Sequence, residues 1–335
     1  MIPRLLAVPL LLAAIHAGAA PVDPAADFRR LLVQGDVKAA LAAVAQPPPQ
    51  MAAKDVAMAE CVRGRFGAPA ATVDGPGAPY LAAYRTYWRS LMLGEMDKPK
   101  AEARLLAALN ALLPGAGWDR KNLDATTEQV KTQLERQGLH ALTGVTHPYY
   151  ELMLWTSETP REYDVQLPEQ AVRVKVVFLD GFQSRGWLSY ASCETIGAGG
   201  WTADGVLYAL ADRYDTSSEN FRVSYLGHEG QHFADNRAFP KLEQPELEYR
   251  AKLTELALAA DPRPLLVQFQ RGAQRGRNVP HAHAEFWVAE RLKEAGTGAE
   301  AAPDSIKAAA RKLLLASSEQ ARKAGAATVI RLLPD

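Results

Sequence analysis

The spacing of hydrophobic residues predicts helices in the first part of the chain. Between Asp23 and about His140, apolar positions recur every three to four residues, as on one face of an amphipathic helix. The proline run at residues 47–49 is predicted to end the first helix, and a Gly-, Ala- and Pro-rich stretch at residues 67–79 to form a loop. The predicted helices cover residues 26–45, a segment around Cys61, and residues 80–93, 99–113 and 125–139.

The pattern changes to alternation after Pro168. Val172, Val174 and Val176 alternate with Arg173 and Lys175, which is typical of a half-buried strand. Two further short strands are predicted, and a run of helices follows them. The strands therefore cover residues 172–178, 187–191 and 205–211, and the helices cover residues 218–237, 245–260, 283–294 and 305–324.

This order of elements predicts an α+β fold. A mostly helical N-terminal region is expected over residues 20–165. A second domain is expected over residues 166–335, with a small sheet followed by helices.

Residues 1–19 have the pattern of a signal peptide. Arg4 precedes an apolar run at residues 5–15, and Ala17-Gly18-Ala19 has the small residues of a cleavage site. The run is shorter than a normal membrane span, so we expect no stable span after cleavage. The pattern predicts an exported protein, periplasmic or secreted. In an oxidising compartment Cys61 and Cys193 could form a disulfide.

Composition narrows the classes of partner. The chain has 335 residues, with 38 basic and 38 acidic side chains, so its formal net charge is zero. Such a balance gives no electrostatic attraction to nucleic acid or to an anionic membrane, and we expect neither as a partner. Hydrophobic residues make up 48% of the chain, which is ordinary for a globular protein, and 2 cysteines exclude a disulfide scaffold.

The segment His228-Glu229-Gly230-Gln231-His232 is an H-E-x-x-H motif inside a predicted helix. Four residues are slightly more than one helical turn, so both imidazoles project from the same face and can bind one zinc ion. Glu229 lies beside the first histidine, where it can take a proton from water on the metal and pass it to a leaving amine. The alternative is a pair of surface histidines on an amphipathic helix.

A catalytic zinc ion needs a third protein ligand. No His-x-x-Gly-x-x-His extension follows His232, so a third histidine of that kind is excluded. The helix predicted at residues 245–260 offers Glu246, Glu248 and Glu255. For each of them the alternative is a solvated glutamate paired with a nearby basic residue.

The motif and the glutamate helix together resemble those of the gluzincin metallopeptidases, in which a Glu downstream of H-E-x-x-H is the third ligand. The string Glu248-Tyr249-Arg250-Ala251 looks like the corresponding segment of membrane and periplasmic members. The resemblance spans about residues 172–295 and implies a zincin-like domain with Glu248 as third ligand and Glu255 as runner-up. Relatives often carry an Asp four residues after this Glu, which orients a histidine ligand. Lys252 stands there in this chain, and Asp235 is the expected substitute.

The same chemistry requires a donor for the oxyanion that forms during peptide hydrolysis. The resemblance also implies that the strand at residues 205–211 pairs with an extended substrate. Candidate oxyanion donors are His281, His283, Arg277 and tyrosines that include Tyr190 and Tyr225.

The sequence thus predicts a zinc-dependent peptidase that acts on a peptide or protein substrate, with Zn²⁺ bound by His228, His232 and Glu248 and with Glu229 as general base and acid. One alternative is a zinc amidase that acts on cell-wall peptides. Another is an exported binding or scaffold protein with an inactive zincin-like site.

Overall fold

A computed structural model describes residues 24–46, 51–69, 72, 74–203, 205–325 and 329–335. The predicted signal peptide at residues 1–19 and the proline run at residues 47–49 lie outside the described residues. The chain forms two compact units. Apart from the residues that are not described, the first consists of residues 1–130, 143–152 and 185–196, and the second of residues 131–142, 153–184 and 197–335.

Helices dominate the chain as far as residue 136. The predicted helix at residues 26–45 is in fact two helices, because Gly35 adopts a positive φ of 78° and Asp36 caps the next helix by accepting from the Ala39 amide. A side chain at position 35 would collide with the ring of Tyr149. The helices are α1 (Pro24–Val33), α2 (Val37–Ala43), α3 (Ala53–Gly67), α4 (Ala78–Met92), α5 (Lys98–Leu112) and α6 (Leu123–Arg136).

The first unit contains a disulfide, and it has a helix where a strand was predicted. Cys61 and Cys193 are bonded, so the predicted pairing is confirmed. The strand predicted at residues 187–191 is wrong, since Gly186–Ala191 forms helix α7. Trp187 and Tyr190 are both buried at a spacing of three residues. A run of five residues is too short to distinguish the period of a helix from that of a strand.

The strands confirm part of the sequence interpretation. The predicted strands at residues 172–178 and 205–211 correspond to β4 and β7. The strands are β1 (His140–Thr146), β2 (Tyr149–Trp155), β3 (Ser157–Gln166), β4 (Ala171–Asp180), β5 (Ser184–Arg185), β6 (Gly200–Ala203) and β7 (Val206–Leu210). One sheet has the order β1-β2-β5 and the other the order β3-β4-β7-β6. The combination of helices and small sheets is an α+β fold.

Strands β1 to β3, which begin at residue 140, were not predicted and follow the helices of the mostly helical N-terminal region. β2 is buried along nearly its whole length and lacks alternation, while β3 is almost entirely exposed and lacks a hydrophobic face. β3 pairs with β4 from Ser157↔Asp180 to Gln166↔Ala171. The boundary predicted between residues 165 and 166 separates these paired strands, and the structural division differs from it for that reason.

In the four-stranded sheet of the second unit, the strand that was expected to pair with substrate does not lie at an edge. β7 pairs with β4 on one side and with β6 on the other, so it is an interior strand. The expectation that residues 205–211 offer a free edge is therefore wrong, and β6 lies at that edge of the sheet. The inner face of the sheet packs against Phe221, Tyr225 and Leu226, which begin the helical segment that carries the H-E-x-x-H motif.

Helices complete the second unit. The helix predicted at residues 218–237 consists of a π-helical segment, Phe221–Gly227, followed by α8 (His228–Ala238). The remaining helices are α9 (Gln244–Leu258), α10 (Arg263–Gly272), α11 (Pro280–Glu294) and α12 (Pro303–Ala324), of which α10 was not predicted. Helix α9 is buried from Pro245 to Ala257. Among the described residues, no helix combines the length and apolarity that crossing a membrane requires.

Candidate metal centre

The site is built on two helices of the second unit that pack against each other. α8 carries His228, Glu229 and His232, and α9 carries Glu248 and Glu255. Buried polar contacts fix the position of one helix along the other. The Thr254 hydroxyl donates to the Gln231 side chain over 2.9 Å, and Arg250 donates two bonds of 2.8 Å to the Asp235 carboxylate.

The three predicted ligands come together and could hold a metal ion. Their ligand atoms lie within 4.8 Å of one another, and all three residues are buried. The two Nε2 atoms of His228 and His232 are 3.1 Å apart, and they lie 3.4 and 3.6 Å from the carboxylate oxygens of Glu248. Ligands at about 2.0–2.1 Å from a tetrahedral zinc ion are about 3.3 Å from each other. The donor set and its spacing therefore fit a zinc ion.

Glu255 has a different place in the site. Its Oε1 atom is 2.8 Å from Nδ1 of His228, on the far side of the ring from the ligand atom Nε2. A carboxylate that accepts from Nδ1 holds the imidazole in the tautomer that leaves Nε2 free for a metal. Glu255 is thus placed to orient a ligand. The third carboxylate candidate, Glu246, is bonded instead to Arg277 and to the backbone of Leu332 and Leu333.

The residues around His228, His232 and Glu248 favour one positive charge among these three side chains. Burial alone would lower the pKa of His228, but hydrogen bonds to Glu248 and Glu255 outweigh it and raise the pKa to about 10. Burial, together with the charge of His228, lowers the pKa of His232 to about 3. Burial opposes ionisation of Glu248, yet its bonds to His228 and His281 hold its pKa well below the usual range. A divalent ion would supply this positive charge in place of the proton on His228.

We call His228, His232 and Glu248 together the metal group. Glu229 lies beside this group and is not one of its ligands. Its Oε2 atom accepts a 2.6 Å bond from the Thr202 hydroxyl on β6. Burial raises its pKa, and the Thr202 bond partly opposes this shift. A carboxylate whose pKa lies above its ordinary value is a stronger base once ionised, which suits proton transfer near neutral pH. The sequence pattern missed Thr202 because the four-residue strand β6 carries too few positions to show a period.

The metal group and Glu229 open into one cleft of about 540 Å³. The side chains around it are mainly neutral and polar, with fewer apolar groups. The polar members beyond the metal group are Thr202, Tyr214, Asn220, Ser224, Tyr225, Asn236, Gln244, Gln268 and His281, and the charged Lys252 also lines the cleft.

The expectation that Asp235 orients a histidine ligand is wrong. Asp235 accepts from Arg250 and from the Gln231 amide, so it orients no histidine ligand. Arg250 is 1% exposed, and a buried guanidinium requires a carboxylate partner. Lys252, four residues after Glu248, forms a 3.0 Å ion pair with Glu285.

Of the five candidate oxyanion donors named from the sequence, His281 and Tyr225 line the cleft. His281 has its Nδ1 atom 2.8 Å from Glu248, and the buried Tyr225 hydroxyl has no hydrogen-bond partner among the described residues. His283 accepts from the Gly276 amide, and Arg277 pairs with Glu243 and Glu246. His283 and Arg277 do not line the cleft. Tyr190 packs against Phe66 and Trp88 in the first unit.

No protein-family model, curated protein or solved structure matches the chain. The buried group formed by His228, His232 and Glu248 could hold a metal ion, which is compatible with the H-E-x-x-H motif.

Because Glu248 and Glu255 contact different atoms of the site, their removal should weaken zinc binding by different amounts. Glu255→Ala should weaken zinc binding about 10–100-fold, as is usual for the loss of an orienting partner. Glu248→Ala should weaken it more, because a ligand atom is lost. Competition with a chelator, on variants whose folding is verified by circular dichroism, measures both constants. A greater loss in Glu255→Ala than in Glu248→Ala would show that the third ligand is misassigned.

Proposed function

We propose that the chain is a zinc-dependent peptidase. One observation carries this proposal: two histidines and a glutamate with the spacing of a tetrahedral zinc site lie beside the buried carboxylate of Glu229 in a single cleft. A catalytic zinc site needs three protein ligands, an open position and a nearby base, and these residues supply the ligands and the base.

Each residue has a defined task in this proposal. Zinc, when bound, polarises the scissile carbonyl and makes water a better nucleophile. His228, His232 and Glu248 hold the ion. The Thr202 bond occupies Oε2 of Glu229, so Oε1 takes the proton from the attacking water and later passes it to the nitrogen of the leaving amine. His281 and the Tyr225 hydroxyl are the donors within the cleft for the developing oxyanion.

Strand β6 is the proposed docking edge for an extended substrate. It lies at the edge of the four-stranded sheet, and its Gly200, Trp201 and Thr202 line the cleft. An extended peptide can add to such an edge through backbone hydrogen bonds. A Cβ atom at Gly200 would collide with the Tyr208 carbonyl and lie 2.6 Å from the Tyr225 ring, so only glycine allows the strand to lie this close to both.

The polar lining of the cleft supports a second candidate within the same chemistry. Asn220, Asn236 and Gln268 can donate and accept hydrogen bonds, whereas an apolar pocket would select apolar side chains. This lining favours hydrophilic substrates and keeps a zinc amidase of cell-wall peptides as the alternative.

We also propose that the protein is exported to the periplasm or the medium. The signal-peptide pattern of residues 1–19 supports this location. The disulfide between Cys61 and Cys193 supports it independently, since such bonds persist in oxidising compartments.

The peptidase proposal predicts that Glu229→Gln keeps its zinc and its fold but loses hydrolysis by several orders of magnitude, because the proton acceptor is gone. The measurements are the zinc content of the purified protein and cleavage of a peptide library, before and after chelation and with zinc restored. Glu319→Gln, at an exposed position on α12, is the matched control. Near-normal turnover by Glu229→Gln would refute its role. Cleavage of cell-wall peptides alone would favour the amidase.

Thr202→Val should shift the pH dependence of activity. The Thr202 hydroxyl stabilises ionised Glu229, so its loss should raise the pKa of Glu229 further. The base is active when ionised, and the acidic limb of the kcat/KM profile should therefore move about one unit to higher pH. Thr159→Val, at an exposed position on β3 of the same sheet, is the control. An unchanged limb, or a shift to lower pH, would contradict the Thr202–Glu229 contact.

A further inference from the structure

Glu246 is a fully buried carboxylate that the proposed mechanism does not use. It lies two residues before Glu248 in the first turn of α9, with 0% of its surface exposed. Arg277 donates to both of its oxygens, over 2.9 and 2.7 Å. The backbone amides of Leu332 and Leu333 donate to its Oε1 atom over 3.1 and 3.2 Å. One carboxylate thus joins the start of α9 to two parts of the chain that are distant in sequence, the segment 330–335 and the loop at Arg277.

The first of these parts, the segment 330–335, lies along the connection between the two ligand helices. Residues 239–243 join α8, which carries the histidines, to α9, which carries Glu248. The segment 330–335 is bonded along this connection. The Ile330 amide donates to the Lys241 carbonyl over 2.8 Å, and Arg331 forms a 3.0 Å ion pair with Glu243. The docked segment therefore restrains the chain where the relative position of the ligand helices is set.

The second part is the loop that precedes α11. Arg277 lies in this loop and also donates to the Leu333 carbonyl over 3.0 Å. The Gly276 amide donates to Nδ1 of the buried His283. Four residues after Arg277, His281 reaches the metal group with its Nδ1 atom 2.8 Å from Glu248. The anchor at Arg277 therefore restrains the segment that brings His281 to the third ligand.

We propose that Glu246 is a positioning residue of the metal centre and that its bonds couple docking of the segment 330–335 to metal binding. This inference rests on the proposed zinc site and not on the reaction that the site catalyses. Coupling of this kind is reciprocal: if the docked segment strengthens zinc binding, zinc must strengthen docking by the same factor.

The first experiment compares two glutamates that pair with a buried or nearly buried arginine: Glu246, which lies in the first turn of α9, and the partly buried Glu169, which contacts α9 through Arg250. Glu246→Gln should weaken zinc binding at least tenfold in a chelator competition, because an amide cannot accept from Arg277 and both backbone amides as a carboxylate does. Glu169→Gln is the matched control. Glu169 contacts Arg250 and accepts from Ser318, so its loss should lower the free energy of unfolding without changing zinc affinity. Equal zinc affinity in wild type and Glu246→Gln would overturn the inference.

The second experiment needs no substitution. Hydrogen exchange of the wild-type chain is followed with and without saturating zinc. Exchange of the Leu332 and Leu333 amides should slow at least tenfold more than that of the amides of strand β3, which report any general stabilisation. Equal slowing in both places would overturn the coupling. A wild-type chain that binds no zinc would overturn the proposed function together with this inference, whereas normal zinc binding without coupling would overturn the inference alone.

Discussion

The metal centre depends on the pairing of charges along a buried helix. Helix α9 is enclosed over most of its length, yet it carries glutamate, arginine and lysine side chains. A buried charge without a partner destabilises a fold by several kcal/mol, so each of these side chains must meet a specific group on a neighbouring element. Arg250 meets Asp235 and Lys252 meets Glu285. The first pair holds α9 against α8, and the second holds it against α11.

The composition of the site follows from the position of α9 against α8. With α8 and α9 aligned, Glu248 faces the ligand atoms of both histidines, and Glu255, two turns further along, faces the outer nitrogen of His228. The two carboxylates flank an imidazole whose pKa they raise. The same arrangement that fixes the helix pair therefore brings together a group that could hold a metal ion.

The sequence predicted the parts of the site that depend on local spacing. Two histidines four residues apart on a helix must share a face, and the structure places them so. The resemblance to gluzincins favoured Glu248 over Glu255, which lies on the same helix. The role of Glu255 became visible only when the rotation of α9 against α8 was known. Thr202 could not be found from the pattern, because it meets Glu229 through the pairing of β6 with β7.

The sequence predicted the elements that have a long amphipathic pattern. It missed those that are short or that show no alternation of buried and exposed residues. β2 is buried on both faces and β3 is exposed on most positions, so neither shows the alternation by which β4 was recognised. Residues 187–191 are too few to distinguish the two periods, and nearly all residues of the helix that they form are buried, so they show no polar face. Asp235 was assigned to a histidine because nothing in the local sequence reveals that Arg250 lies against it.

Diffraction at the zinc absorption edge, on crystals of the full chain grown with zinc, tests whether His228, His232 and Glu248 hold a zinc ion. We expect one strong anomalous peak per chain, about 2.0–2.1 Å from Nε2 of His228, Nε2 of His232 and one carboxylate oxygen of Glu248, with Glu255 on the outer nitrogen of His228. A zinc ion bound through Glu255 in place of Glu248, or no peak between α8 and α9, would contradict this expectation.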